Sequence, residues 1–187
     1  MSNIVARNNN LVAKIKPDDI AEGPDKWGNP DVFLMARHRQ FSVDPTGYKY
    51  PFEPRKVVQD LKDSHFRFPL EAYIHGGVHL SLAGEGNYPD RRWDVSRVGD
   101  VFVRKEDCPD EKKAKELAEG LLKTWNLYLA GDVWTIIVEN EDTGEVVQSV
   151  GGYYGHQEAE KAAKELLAEA VLERDTIPTL KALSLTQ

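Results

Sequence analysis

The sequence predicts an α+β domain, with one mainly antiparallel sheet of about five strands and about three helices packed on one face. Two segments, near 109–129 and 157–172, repeat apolar residues at intervals of three and four, the helical period. Several others are rich in Val, Ile, Phe, Trp and Tyr and bounded by Gly, Pro, Asn or Asp, the signature of strands. Most of these strand candidates follow one another through short turns, which favours antiparallel pairing. A split βαβ arrangement with one parallel pair is the alternative topology.

Three stretches divide the chain: an irregular N-terminal segment over 1–30, a single domain over 31–172 and a C-terminal tail over 173–187. The first holds the run Asn8–Asn10, a short apolar stretch at Leu11–Ile15 that could add a strand, and then the breakers Pro17, Gly23, Pro24, Gly28 and Pro30. Val32–Val43 reads as a strand closed by the turn residues Asp44, Pro45, Thr46 and Gly47. Residues 54–65 read as a short helix, with Pro54 at a first helical position and Val57, Val58 and Leu61 on one side. Leu70–Leu82 is a second strand whose Gly76 and Gly77 mark a bulge or a close backbone approach. Val98–Arg104 is a third.

The helix near Pro109–Leu129 is the clearest element. Ala114, Leu117, Ala118, Leu121, Leu122, Trp125, Tyr128 and Leu129 form one stripe, acidic residues open it, and Gly131 suits a left-handed stop. Asp132–Val150 reads as a hairpin turning at Glu141–Gly144. The last helix, near Gln157–Leu172, buries small residues such as Ala159, Ala162 and Ala163, which permits close approach to a sheet.

Composition narrows the function classes. The chain has 187 residues, 41% hydrophobic and 29% charged, with a formal charge of −7. No run approaches the roughly 18 apolar residues of a membrane span, and the N-terminal residues do not read as a secretory signal. A lone Cys108 excludes an intrachain disulfide and a Cys-based zinc site and fits a reducing cytoplasm. From residue 106 onward there are 8 Lys and Arg against 17 Asp and Glu; residues 1–105 hold 16 against 14. An acidic half attracts basic surfaces, including those of nucleic-acid enzymes, and disfavours nucleic acid itself.

No catalytic triad, phosphate loop, cofactor motif or metal-ligand spacing is present, so no catalytic residue, cofactor or metal is expected. The expected partner-binding residues are Glu139, Glu141, Asp142 and Glu145 at the hairpin tip, with Trp93 and Tyr153 as aromatic anchors. An alternative ligand site, in an enzyme or small-molecule-binding domain, would use His75, His79 and Asp94. In an unbroken strand the two histidines would lie roughly 13 Å apart, and a bulge at Gly76-Gly77 would be needed to bring them together. A third reading has the basic clusters of the first half bind nucleic acid, with Arg91 and Arg92 beside Trp93 as a stacking site.

Several short motifs follow one another along the chain: His38-Arg39-Gln40-Phe41, Tyr73-Ile74-His75-Gly76-Gly77-Val78-His79-Leu80-Ser81-Leu82, Trp93-Asp94, Val98-Gly99-Asp100-Val101-Phe102-Val103 with Lys105-Glu106, Tyr128-Leu129-Ala130-Gly131-Asp132-Val133 and Tyr153-Tyr154-Gly155. In this order the chain resembles, over about 31–160, a loose family of small uncharacterised proteins encoded by bacterial and archaeal viruses and mobile elements. The resemblance implies a non-enzymatic accessory protein of a phage or similar virus. It would bind a host or viral protein, such as a restriction or CRISPR nuclease complex that it inhibits.

Overall fold

The computed structural model of the protein describes residues 2–27, 31–39, 41–45 and 53–184, with side chains through Arg174. In chain order the elements are β1 (Asn3–Asn8), β2 (Leu11–Pro17), β3 (Val32–Arg37), β4 (Ser42–Val43), α1 (Pro54–Leu61), β5 (His65–Ile74), β6 (Val78–Leu82), α2 (Arg91–Asp94), β7 (Val95–Arg104), α3 (Glu111–Leu129), β8 (Val133–Asn140), β9 (Val146–Tyr154) and α4 (His156–Ser184). The class is α+β, and every strand pair among the described residues is antiparallel, so the parallel pair of the alternative topology is absent there. The strands form two sheets instead of one, of four and five strands. No helix among the described residues is long and apolar enough to cross a membrane.

The chain divides into two compact units, Met1–Glu22 with Gly131–Gln187, and Gly23–Ala130. The first, unit 1, is an antiparallel sheet in the order β1-β2-β8-β9. Its N-terminal hairpin lies in the segment expected to be irregular. The Asn run supplies the turn: Asn9 has φ 53°, a left-handed conformation that asparagine tolerates better than other non-glycine residues. Leu11, Ala13 and Ile15 of β2 face the same layer as Ile136 and Val138 of β8. Against them packs α4, through Ala159, Ala163, Leu167 and Ala170. Alanine at three of these four positions, which are spaced by four, four and three residues, lets the helix sit close to the strands. The helix continues to Ser184, beyond the 173 boundary expected for a tail.

The second, unit 2, has strand order β4-β3-β7-β5-β6. Its helices lie on both faces, where one face was expected. Successive residues of β3 alternate: Leu34 and Ala36 join Leu70, Val101 and the α3 residues Ala118, Leu122 and Trp125. Phe33 and Met35 join Phe102 and Val57 of α1 on the other side. The two long strands expected here are hairpins. Between β3 and β4, His38 and Phe41 exchange backbone hydrogen bonds of 2.8 and 3.3 Å. Between β5 and β6 the chain reverses at Gly76, whose φ of 71° an L side chain rarely adopts. The glycine pair that read as a bulge is therefore a turn.

Candidate functional site

On the α1 side of unit 2's sheet, the β5–β6 end carries the residues with functional character. Alternation along β5 buries Leu70 and Ala72 beneath α3 and turns Glu71 and Tyr73 to the opposite face. Glu71 is only 6% exposed. It accepts hydrogen bonds from Arg91 Nη2 at 2.9 Å to both oxygens, from the Gly84 amide at 3.1 Å and from Ser81 Oγ at 3.2 Å. Burial by itself would raise this carboxyl, but the Gly84 amide, Arg91 and Ser81 outweigh it and hold it below the ordinary carboxylate value.

Arg91 opens α2, and its guanidinium also donates to the Gly86 carbonyl. Above Tyr73 the ring of Tyr88 stacks at 4.8 Å and 8°. His75 lies near-parallel to Tyr73 at 6.0 Å and 19°. His79 meets Tyr88 edge-on, with Nδ1 2.9 Å from the tyrosine hydroxyl. Burial raises the Tyr88 pKa above its ordinary value. Asp94 at the end of α2 lies 3.2 Å from His75 Nδ1. Between these braces Trp93 projects outward, 78% exposed, with the Arg92 guanidinium 5.3 Å from its ring centroid. Trp93 and Asp94 both donate backbone N–H bonds to the Asp90 carbonyl, at 3.0 and 3.1 Å.

Of the alternative ligand set, His75 and Asp94 come together while His79 is engaged elsewhere, by Tyr88. Among the described residues no three His, Cys, Asp or Glu side chains gather as a metal ion requires. Further along the same face Arg67 and Arg97 both bind Asp100, at 2.9 and 3.0 Å, and Asp100 is 5% exposed. Beneath the other face a groove of about 460 Å³ runs between β6 and α3, lined in part by Leu80, Leu82, Leu122 and Asn126.

The hairpin tip of unit 1 is less acidic than its sequence suggested. Glu139 pairs with Lys14, and Glu141 pairs with Arg7 at 3.1 Å. Arg7 holds the Glu141 carboxyl below its ordinary value. Asn140 orders the turn by accepting the Asp142 and Thr143 amides at 2.9 and 3.2 Å. Asp142 and Glu145 remain exposed and, among the described residues, have no cationic partner. Tyr153 is half-buried and packs against the α4 core. It belongs to unit 1 and Trp93 to unit 2.

Glu71, Tyr73, Tyr88 and Arg91 were not singled out from sequence as a group. The period-two pattern of β5 was a sufficient signal for Glu71 and Tyr73. Tyr88 carried none, lying in a Gly-, Asn- and Pro-rich loop. Compared with protein-family models, curated proteins and solved structures, the chain gives no match, so its own geometry bears the functional argument.

Proposed function

We propose that the protein acts by binding rather than by chemistry, with Trp93 of unit 2 as the anchor for a partner protein. One observation carries this reading: a 78% exposed indole stands on a short helix that is fixed on several sides. Arg91 ties that helix to Glu71, Asp94 ties it to His75, and two amides bind Asp90. A large apolar surface on a rigid mount loses little conformational freedom on docking, the property that makes tryptophan an interface hot spot.

A protein suits the surface better than nucleic acid does. The guanidiniums of Arg67, Arg97 and Arg91 are already held by Asp100 and Glu71, and the segment 23–130 balances 17 Lys and Arg with 17 Asp and Glu. Little net charge is left there to attract phosphates. Catalysis through His75, His79 and Asp94 has less support, since the two imidazoles are committed to different partners. The resemblance to virus-encoded proteins makes a host protein, such as a nuclease complex of a defence system, the expected partner.

A photo-crosslinking residue tests the anchor. The full chain carrying Trp93→p-benzoylphenylalanine is irradiated in extract of its source cell, beside a control with the same residue at Ile20, which is 89% exposed. The expected result is a discrete protein adduct from position 93 that unlabelled wild-type protein competes away. Adducts no different from the control, or adducts removed by nuclease, would overturn it.

A further inference from the structure

At the β4 edge of unit 2, on the face covered by α3, a cavity of about 730 Å³ opens between that helix, the β3–β4 hairpin and the short helical turn Pro24–Trp27. Three rings border it. Trp125 and Tyr128 stand three residues apart on α3 and so share a side of the helix. Phe41 comes from the hairpin, where its backbone bonds with His38 hold it. Both of the outer rings stand upright on the indole, Phe41 at a centroid distance of 6.0 Å and 82°, Tyr128 at 5.8 Å and 86°. Trp125 is only 4% exposed and forms the inner end of the cavity, while the half-buried Phe41 and Tyr128 form its sides.

Two carboxylates border the same space, Asp25 from the helical turn and Asp44 from the residue after β4. Lys26, which also lines the cavity, pairs with Asp25 at 3.0 Å and offsets it. Asp44 is exposed and has no cationic partner among the described residues. Two acids against one base leave the lining with a formal charge of −1.

Upright rings around a space with a negative lining suit one class of guest. The faces of aromatic rings attract cations, and a cation clothed in methyl groups asks for no hydrogen-bond acceptor in return. A neutral apolar guest would gain nothing from Asp44, and an anion would be repelled by it. A bare ammonium would give up a hydration shell that three rings do not replace. We infer that this cavity binds a methylated ammonium group, carried by a free quaternary amine such as choline or by a trimethyllysine side chain. Its volume lies within the range of small-molecule sites, roughly 300–1,000 Å³, and holds the head together with the chain that bears it. The site is independent of the Trp93 anchor, which belongs to the α1 side of the sheet.

Titration of the full-length protein with choline, followed at the tryptophan indole N–H resonances by proton–nitrogen NMR, tests the inference. The neutral isostere 3,3-dimethyl-1-butanol separates charge from shape. Choline should shift the Trp125 resonance saturably and bind about tenfold more tightly than the isostere, the scale of a desolvated cation–π contact. Asp44→Asn changes an exposed position and should weaken choline by about threefold, the scale of a partly solvated charge, without affecting the isostere. Phe41→Leu should abolish the preference for choline while the circular dichroism spectrum stays unchanged, and Trp93→Ala should leave it intact. The Nα-acetyl methylamide of trimethyllysine, titrated beside choline, tells the two sources apart: whichever binds more tightly names the carrier of the group. Four outcomes would overturn the inference: no saturable shift at Trp125, equal binding of choline and its isostere, unmethylated lysine binding more tightly than trimethyllysine, or a choline preference that survives Phe41→Leu. Loss of the preference with Trp93→Ala would do the same, by assigning the cation to the other surface.

Discussion

Arg91 lies across the buried carboxylate of Glu71, its Nη2 equidistant at 2.9 Å from both oxygens, and so locks the helix that presents Trp93 to the sheet beneath it. Replacing the arginine by an isosteric apolar residue strands a carboxylate that is only 6% exposed. Arg91→Met should cost about 2 kcal/mol, less than a fully buried pair because the guanidinium is partly solvated. Adding Glu71→Gln should return part of that loss. A double-mutant cycle by urea denaturation reads the coupling, and additive losses would show that the pair is decorative. The acid limb follows the same contact. The Glu71 pKa is depressed in the fold, so its contribution is complete above the ordinary value of 4.5 and fades as pH falls through the lower, folded value.

His65 sets a second dependence on pH at a higher range. Its ring sits edge-on to Phe33 at 5.7 Å and near Phe102 at 6.5 Å, and Ser64 Oγ lies 2.8 Å from Nδ1. Burial first, then Arg104 and Lys105, lowers its pKa from 6.5. The unfolded chain therefore takes up the proton before the folded one, and stability should decline as pH drops below 6.5. Denaturation midpoints measured between about pH 7.5 and 5.5 should fall for the wild type and change less for His65→Leu. Equal slopes would remove His65 from the account.

At Gly99, opposite Ala36, β7 leaves no room for a side chain against β3. A Cβ there would stand 1.8 Å from the Met35 carbonyl oxygen, a backbone atom that cannot swing aside. Gly99→Ala should destabilise by about 2–3 kcal/mol through forced displacement of a central strand. A thermal melt within error of wild type would mean that the two strands separate easily.

Trp93→Ala should leave stability within about 0.5 kcal/mol of wild type, as for other exposed positions. Binding and folding are thereby separable at this residue, and a large drop in melting temperature would reassign Trp93 to a structural part.

Asn126 covers the edge strand β6, its Oδ1 accepting the Leu80 N–H at 2.7 Å and its Nδ2 donating to the Leu80 carbonyl at 2.9 Å, and Asn126→Ala should uncover that edge. Leaving the Leu80 N–H and C=O without their partner should cost about 1–3 kcal/mol. The variant should also self-associate with rising concentration in analytical ultracentrifugation, where wild type does not through this edge. A variant of equal stability and unchanged sedimentation would show that water replaces the carboxamide freely.

Local pattern was a good guide wherever an element is stabilised by its own period. The stripe of α3 is buried at Ala114, Ala118, Leu122 and Trp125, Asp110 caps the helix by accepting the Lys113 amide at 2.8 Å, and Gly131 stops it at φ 71°. Pairing between distant segments was not legible. Leu11 lies opposite Asn140, and no property of Leu11–Ile15 alone announces a partner so far along the chain. The glycine turn at Gly76 was missed because Gly76-Gly77 is compatible with bulge and hairpin alike. At the candidate site, Trp93, His75 and Asp94 were legible as residue types. The stack of Tyr73 with Tyr88 depends on how a loop folds back, which residue spacing does not encode.

Unit 1 takes its first two strands from one end of the chain and its last two, with α4, from the other. During synthesis, the β1–β2 hairpin must wait for more than a hundred later residues before β8 can pair with it. Over that interval the middle of the polypeptide can complete its own sheet, because all of its strands have already emerged. Birth order and assembly order are thus opposed, and a chain truncated before residue 133 would leave its opening hairpin without the neighbour that buries it.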